Sequence, residues 1–410
     1  MPRLRALLLV LFLSGTAVAG DWPGWLGPKR DSSSPEIVAP WKGDLKVLWR
    51  QPVGEGHSSP VVAGGKVYLF TKSKDKEAET LTAYDVRTGM EVWSKSYERT
   101  PFKTIFGAGP QSTPVVSDGK VYTFGATGVL SCFAAADGKD VWRVDTLKKF
   151  DGKNLFFGCA TSPLVEGGLV LVNVGAPGAS VVAFKKDSGD VAWKALDDKA
   201  SYSSPIAAGT GKEREIIFLT AAGLRGLSPS DGKVFWEYPF VDRLNESSTT
   251  PVLLGDGLLL ASSVTAGSVG LKMGVKDGAP TAEQAWKNPA VSCYFSTPVP
   301  VKGQVYMVTG KALTRTPQAD LVCVDSATGK VLWTKAKVGK YHAAMLRTGD
   351  DKLLMLDDFG NLTLFEPNEK EYRELARSKV CGATWAHPAL SDGCVYIRDE
   401  KELMCIQVGK

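Results

Sequence analysis

Residues 112–142 read S-T-P-V-V-S-D-G-K-V-Y-T-F-G-A-T-G-V-L-S-C-F-A-A-A-D-G-K-D-V-W, and this stretch decides the fold. Its runs of β-branched and aromatic residues are bounded by turns at 117–119, 125–128 and 137–139. Short apolar runs separated by Gly and Asp turns are the signal of hairpin-linked strands. The turns lie too close together for a helix of ordinary length, so the stretch predicts four short β-strands.

The same unit recurs along the chain. It opens with Ser or Thr, then Pro and an apolar run, and the prolines of these openings are Pro60, Pro114, Pro163, Pro205, Pro251 and Pro298. His387-Pro388 is a weaker copy, and Ala344 occupies one further slot without a proline. The steps between neighbouring slots run from 42 to 54 residues, a period in or near the range of β-propeller blades.

The unit closes with Asp-x-x-Thr/Asp-Gly-Lys-x-x-Trp, and the closing tryptophans, expected to be structural, are Trp93, Trp142, Trp193, Trp236, Trp286 and Trp333. Tyr372 takes the place of the tryptophan once. No closing strand follows the last opening, but residues 45–50, L-K-V-L-W-R with Trp49, supply one from the other end of the chain. The pattern predicts an all-β, eight-bladed propeller of four-stranded antiparallel blades over residues 45–410, closed by an N-terminal strand that completes the last blade.

The N-terminus predicts export. Residues 1–19 combine Arg3 and Arg5, an apolar run and the small-residue site Ala17-Val18-Ala19, which is the pattern of a signal peptide. No cysteine follows that site, so no lipid anchor is expected, and the mature protein is predicted to be periplasmic or secreted. Residues 20–44 form an N-terminal segment, with D-W-P-G-W-L-G-P-K-R near its start, whose tryptophans would cap one end of the ring or dock on a blade.

The net charge and the apolar runs of the chain bear on whether it binds nucleic acid or spans a membrane. The formal charge of +5 falls to +3 when Arg3 and Arg5 leave with the signal peptide, and no Lys/Arg run is present. A nearly balanced chain without a basic patch is an unlikely nucleic-acid binder. No later stretch is long and apolar enough for a membrane span.

The repeats resemble the pyrroloquinoline-quinone (PQQ) type of propeller repeat. Residues 82–93, T-A-Y-D-V-R-T-G-M-E-V-W, and 322–333, V-C-V-D-S-A-T-G-K-V-L-W, carry the resemblance best, and it extends over about 45–408. Length and export make the chain similar to the BamB type, a scaffold in outer-membrane protein assembly. The N-terminal segment also resembles that of uncharacterised exported PQQ-like repeat proteins.

The resemblance implies a non-catalytic scaffold that binds a protein or peptide in the cell envelope, and the alternative is a PQQ-dependent oxidoreductase. Dehydrogenases of that type hold the quinone with calcium through acidic and amide side chains, and they have an aspartate base and a disulfide between adjacent cysteines. No stretch of this chain matches those segments and no two of its cysteines are adjacent, so no catalytic residue, metal or cofactor is assigned. A carbohydrate-active enzyme is a third possibility, for which no acid pair is visible.

Cysteines and histidines each leave two interpretations open. Cys132, Cys323 and Cys405 fall where other blades have small residues, which favours buried thiols, whereas Cys394 and Cys405 could form a bridge across one hairpin. The three histidines, His57, His342 and His387, all stand at the mouths of first strands. They could bind zinc or copper, but their offsets point them to alternating faces, which favours satisfied histidines.

One ring of positions is predicted to circle the channel mouth. Three residues before each proline slot stand His57, Gln111, Ala160, Tyr202, Ser248, Phe295, Tyr341 and Trp385. Innermost strands line a propeller channel, and aromatic residues with polar neighbours suit a peptide, a sugar or a planar ligand. The binding candidates are therefore His57, Gln111, Tyr202, Phe295, Tyr341 and Trp385. The alternative is that they only plug the channel, with binding on the long links 94–112 and 143–161.

Overall fold

A computed structural model describes residues 20–310 and 316–408. The predicted signal peptide, residues 1–19, lies outside the described residues. The described chain forms eight four-stranded antiparallel sheets, with one single-turn α-helix after the second sheet and one 3-10 turn within the fourth. The predicted eight-bladed propeller is confirmed.

The strands of blades 1 to 4 follow in chain order. Blade 1 contains β2 (Val61–Ala63), β3 (Lys66–Lys72), β4 (Ala78–Asp85) and β5 (Glu91–Glu98). Blade 2 contains β6 (Val115–Ser117), β7 (Lys120–Phe124), β8 (Val129–Ala134) and β9 (Asp140–Asp145), followed by α1 (Thr146–Phe150). Blade 3 contains β10 (Leu164–Glu166), β11 (Leu169–Ala176), β12 (Ala179–Lys185) and β13 (Val191–Ala195). Blade 4 contains β14 (Ile206–Ala208), β15 (Glu215–Thr220), β16 (Gly223–Leu227) and β17 (Val234–Pro239), with the 3-10 turn at Gly211–Glu213.

Blades 5 to 8 complete the ring. Blade 5 contains β18 (Val252–Gly255), β19 (Leu258–Ser263), β20 (Gly267–Lys276) and β21 (Ala279–Asn288). Blade 6 contains β22 (Val299–Val301), β23 (Gln304–Thr309), β24 (Ala319–Asp325) and β25 (Val331–Gly339). Blade 7 contains β26 (Ala343–Arg347), β27 (Leu353–Asp357), β28 (Asn361–Glu366) and β29 (Arg373–Lys379). Blade 8 contains β30 (Ala389–Ser391), β31 (Cys394–Arg398), β32 (Glu402–Gln407) and, as its outer strand, β1 (Lys46–Pro52).

Two kinds of contact close the ring between blades 8 and 1. Strand β1 pairs antiparallel with β32, with Trp49 opposite Cys405, as the sequence predicts. At the channel the backbone N–H of His387 in blade 8 donates to the Ser59 hydroxyl of blade 1 at 2.9 Å. The last blade is therefore joined to the first both through its own outer strand and through its inner edge.

The Ser/Thr-Pro motif has a physical reason in this ring. In five of the six copies the hydroxyl before the proline accepts a hydrogen bond from the equivalent backbone N–H of the preceding blade, whereas the Thr250 hydroxyl accepts from the Trp25 indole. The proline, which has no N–H, leads into the short inner strand. The other steps of this belt join Ser59 to Thr113 (3.2 Å), Thr113 to Ser162 (2.9 Å), Ser162 to Ser204 (2.9 Å) and Thr250 to Thr297 (3.2 Å).

The closing tryptophans lie at the seams between blades. Trp93, for example, is 8% exposed, and its Nε1–H donates to the Ala135 carbonyl of blade 2 at 3.2 Å. A small residue stands directly opposite each indole on the neighbouring strand, which leaves room for the ring. These residues are Ala83, Cys132, Ala183, Gly226, Gly270, Cys323 and Cys405.

The pairing of β28 with β29 shows that the sequence pattern assigns the closing position of blade 7 to the wrong residue. Leu364 pairs with Ala376, and the irregularity that follows the tryptophan slot in other blades follows this pair. Ala376, not Tyr372, therefore occupies the closing position. Tyr372 instead packs edge-on against Trp333 of blade 6, with the ring centroids 6.3 Å apart.

No bridge joins the two cysteines of blade 8. Cys394 pairs with Gln407 and Cys405 with Tyr396 across β31 and β32, and the two thiols interact by a side-chain hydrogen bond. The two cysteines belong to pairs two steps apart along the ladder, so they do not stand directly opposite each other. Cys405 is fully buried, which agrees with the small, tightly packed slot predicted for it.

The N-terminal segment runs across one end of the ring. Trp22 exchanges two backbone hydrogen bonds with Val62 of blade 1, and the Pro23 carbonyl accepts from Val116 of blade 2. Further along, Ser34 donates to the Arg347 carbonyl of blade 7. All of these contacts fall on the face that carries the turns between first and second strands. The segment therefore caps the channel on that face and leaves the opposite end open.

Candidate functional site

The open end of the channel contains a cavity of about 130 Å³. The ring of positions predicted from the register of the proline slots surrounds it, with Tyr341 alone set back from the wall. The ring residues on the wall are His57, Gln111, Ala160, Tyr202, Ser248, Phe295 and Trp385. The structure thus brings the predicted positions together; whether they bind a ligand stays a prediction.

Trp385 is the centre of the aromatic packing at this mouth. The rings of His342, Tyr341 and His57 stack on it with centroids 4.9, 5.4 and 5.8 Å away. Phe295 meets it edge-on at 5.3 Å, and Tyr294 stacks on Phe295. Tyr341 therefore supports Trp385 from behind, and one indole connects aromatic side chains from several blades.

The long links also reach this cavity. The sequence predicts them as a binding site alternative to the ring of positions around the channel mouth. Phe106, from link 94–112, packs on Trp385 with centroids 5.4 Å apart. Phe157, from link 143–161, lies between Phe106 and Tyr202, with centroids 5.5 Å from each. Rim and links therefore form one site.

Buried charges hold link 94–112 in place. Glu79 of β4 is fully buried and pairs with Arg99, the two side chains 3.2 Å apart. The Arg99 guanidinium also donates to the carbonyls of Phe102 and Ala108 within the link. Burial raises the pKa of the Glu79 carboxyl, opposed by hydrogen bonds from Tyr97 and the Ala126 N–H and by the charge of Arg99. Removing one partner of such a pair would leave the other unpaired and would free the loop that carries Phe106.

Carboxylates anchor the other loops in the same way. The backbone N–H groups of Lys340 and Tyr341 donate to Asp358 at 2.9 and 2.6 Å, which fixes the approach to His342. Asp242 accepts from the Glu246 N–H at 2.8 Å, and Asp399 from the Gly382 N–H at 2.8 Å. The loops that carry the aromatic residues of the mouth are thus held in place by internal hydrogen bonds.

The N-terminal segment supplies the floor of the cavity. The Trp25 indole lies 4.5 Å from the His387 ring, and its Nε1–H donates to the Thr250 hydroxyl at 2.8 Å. Deeper in the channel the Arg30 guanidinium donates to the carbonyls of Ser162 and Pro163, and also to Pro205. The segment therefore both caps the ring and places a tryptophan inside it.

The three histidines are aromatic packing partners at the mouth. Burial lowers the pKa of His57 and of His387 to about 3 each, so both imidazoles are neutral at neutral pH. His342 also has a lowered pKa because it is buried, and its Nε2 lies 3.1 Å from the Thr384 carbonyl. Among the described residues no cluster of His, Cys, Asp and Glu has the arrangement of a metal site.

An apolar fringe surrounds the mouth. Ile105 on link 94–112 is 72% exposed, and Phe156 on link 143–161 is 69% exposed. Phe359, in the hairpin between β27 and β28, is 52% exposed on the same face. Large apolar side chains left in water around a cavity are a feature of interaction surfaces.

Sequence reasoning found the ring but missed Trp25, Phe106, Phe157 and Tyr294. The ring follows from a register repeated in every blade. The missed residues lie on irregular segments, where only segment length and aromatic content, as in D-W-P-G-W and N-L-F-F-G, gave a signal.

The cavity wall does not fit pyrroloquinoline quinone with calcium. The quinone is a polycarboxylate, and its carboxylates need cationic or strong hydrogen-bond donors. The part of the wall that the structure describes presents one carboxylate, Glu246, and one amide, Gln111, together with serine hydroxyls and rings, and no lysine or arginine. One carboxylate is also too few for a calcium ion, which takes six to eight oxygen ligands.

These features define an eight-bladed propeller of the PQQ-repeat class, with one capped channel end and one open, aromatic end. The family profile described as "Outer membrane protein assembly factor BamB" matches residues 32–103 and 77–335, and the chain belongs to this family. The BamB of Burkholderia pseudomallei is 26% identical over 309 residues, covering 72% of this chain and 70% of that protein.

Solved structures of the same fold include a BamB and a quinoprotein dehydrogenase. BamB from Moraxella catarrhalis superposes with a TM-score of 0.60 at 15% identity, covering 89% of this chain and 98% of that chain. The quinohemoprotein alcohol dehydrogenase from Comamonas testosteroni superposes with a TM-score of 0.67 at 15% identity, covering 97% and 82%. At these identities the likeness shows the fold alone. No helix within the described ranges is long and apolar enough to cross a membrane.

Proposed function

We propose that this protein is an exported, non-catalytic scaffold of the cell envelope that takes part in outer-membrane protein assembly. On this proposal it holds a polypeptide at the aromatic mouth of its channel. Membership of the BamB family supports the assembly role, since the relatives are named for it. The observation that carries the binding role is the convergence of Trp385, Phe106 and Phe157 on one cavity beneath an exposed apolar fringe.

The arrangement suits binding better than turnover. Aromatic anchors at the centre of a surface typically carry most of the binding energy in protein recognition. A rigid ring with anchored loops loses little conformational entropy when a partner docks. The quinone-dependent alternative has only fold likeness behind it, and the cavity wall does not fit that cofactor.

Gene deletion tests the assembly role. In the deletion strain we expect less folded outer-membrane β-barrel protein, measured by its heat-dependent mobility on gels, and restoration by the parent gene. Phe156→Asp and Ile105→Asp should restore less, because each places a charge in the apolar fringe. Met90→Asp is the matched control, since Met90 is 67% exposed but lies in the turn between β4 and β5 on the opposite face.

Two outcomes contradict the proposal. If deletion leaves folded barrel protein at the parental level, the assembly role is wrong. If Phe156→Asp, folded by circular dichroism, restores assembly as well as Met90→Asp does, the mouth is not the binding surface.

A further inference from the structure

Among the described residues, the wall of the channel cavity carries one formal charge, the carboxylate of Glu246. The other polar groups on the wall are the Gln111 amide, serine hydroxyls, phenols and imidazoles. Burial holds the imidazoles of His57 and His387 neutral and raises the pKa of Tyr202 to about 12. The cavity is therefore a largely aromatic chamber with a single negative group.

Glu246 is fixed in position but has accepting capacity to spare. Its backbone N–H is held by Asp242, and the Tyr294 hydroxyl donates to its carboxylate. Among the described residues no lysine or arginine pairs with it, and Tyr294 is its one side-chain donor. A carboxylate has about four acceptor sites, so most of this capacity is unused.

Two buried arginines near the channel, Arg398 and Arg30, bind backbone carbonyls. Arg398, behind His57, is 1% exposed and donates to the carbonyls of Gly54 and Asp399. Arg30 directs its guanidinium at backbone carbonyls beneath the floor. Neither of them lines the cavity, so neither neutralises Glu246 from inside it.

From this arrangement we infer that the cavity receives the basic side chain, lysine or arginine, of a polypeptide held at the mouth. The inference rests on the proposed function and names which part of the partner enters. The aliphatic stem of a basic side chain packs on apolar rings, its charged group is attracted to their negative faces, and Glu246 accepts its N–H donors. An acidic side chain would instead meet Glu246 at close range and would be repelled.

A matched pair of peptides on the purified full-length protein tests the charge preference. One probe is acetyl-Gly-Gly-Lys-Gly-Gly-amide, and the other carries norleucine, which has the same stem without the ammonium group. Saturation-transfer NMR titration should give roughly tenfold tighter binding for the lysine peptide, as expected for one cation in an aromatic site with a carboxylate. Equal affinities would overturn the inference.

Substitution of the carboxylate locates the effect. Glu246→Gln should reduce the lysine-over-norleucine preference several-fold, because the amide keeps the size and the Tyr294 contact but loses the charge. Glu371→Gln, at an exposed position outside the cavity wall, is the control and should leave the preference unchanged. A Glu246→Gln protein with the parental preference would also overturn the inference.

The peptide results are separable from the scaffold proposal. If both peptides bind equally, the cavity still holds polypeptide and only the charge preference is wrong. If neither binds, the inference is overturned, while the assembly role is judged by the deletion and Phe156→Asp experiments, which do not depend on a basic side chain.

Discussion

Seven of the eight seams between blades carry a closing tryptophan, and blade 7 has Ala376 instead. Six of the seven are built alike, and the seam between blades 4 and 5 is built differently. At a regular seam the indole N–H of the closing tryptophan donates to a backbone carbonyl in the third-to-fourth-strand turn of the next blade. The donors are Trp49, Trp93, Trp142, Trp193, Trp286 and Trp333. Trp236 of blade 4 donates instead to the carboxyl of Glu215 in its own blade, at 2.6 Å. One indole position is thus compatible with two different partners.

The cause lies in blade 5. At most regular seams a turn glycine lies against the indole, as Gly138 does against Trp93. In blade 5, strands β20 and β21 are ten residues long each, and their turn at Gly278 stands away from other atoms. A cavity of about 350 Å³ lies at this seam, with Glu215 on its wall. The comparison shows that the turn of the following blade, not the tryptophan alone, makes a seam regular.

The largest effect should come from the indole of a regular seam. Trp93→Ala removes a buried ring from between blades 1 and 2 and is expected to destabilise the protein by about 4 kcal/mol, as other large-to-small core changes do. Urea unfolding followed by far-UV circular dichroism measures the change. A loss below about 1 kcal/mol would show that the regular seams do not depend on the indole.

The second prediction is that the seam between blades 4 and 5 makes the free energy of unfolding depend on pH. Burial raises the pKa of Glu215 from 4.5 to about 7, with the Trp236 hydrogen bond opposing the shift. Below pH 4.5 the carboxyl is protonated in both folded and unfolded chains and adds no pH dependence. Between pH 4.5 and 7 the unfolded chain ionises first, so the free energy of unfolding falls by about 3 kcal/mol as pH rises and is then level.

Glu215→Gln isolates that contribution, because the amide is neutral and still accepts from Trp236. The parent should lose about 3 kcal/mol relative to this variant between pH 4.5 and 8, measured by urea unfolding at several pH values. Parallel stability curves for the two proteins would mean that Glu215 does not carry a raised pKa.

The features that recur in every blade could be predicted from the sequence. Ring closure by residues 45–50 and the positions around the channel follow from one register copied through all blades, and side-chain direction alternates along a strand. The sequence around Trp236 does not predict that the turn between β20 and β21 of blade 5 fails to contact the indole, because blade 4, which contains Trp236, keeps the repeat pattern. The positions of Trp25 in the channel and of Phe106 at the mouth could not be predicted either. Both lie on irregular segments, whose contacts depend on tertiary packing and not on the sequence repeat.

The smallest effect compares two turn glycines. Gly138 (φ +71°) and Gly278 (φ +76°) have nearly the same left-handed backbone, so an alanine at either place carries the same conformational cost of about 1 kcal/mol. A Cβ at Gly138 would lie 2.5 Å from the Trp93 ring, whereas at Gly278 nothing lies within 4 Å. Gly138→Ala should therefore cost about 1–3 kcal/mol more than Gly278→Ala, since overpacking forces the indole or the turn to move.

The difference between the two alanine variants removes the shared backbone cost and leaves the seam contact alone. Thermal unfolding of both proteins under one condition gives that difference directly. In a Trp93→Ala background the excess cost at Gly138 should vanish, because the ring that the new methyl group meets is gone. An excess that persists there would place its origin in the turn itself, and docking of the turn would no longer explain why regular seams differ from the seam at Trp236.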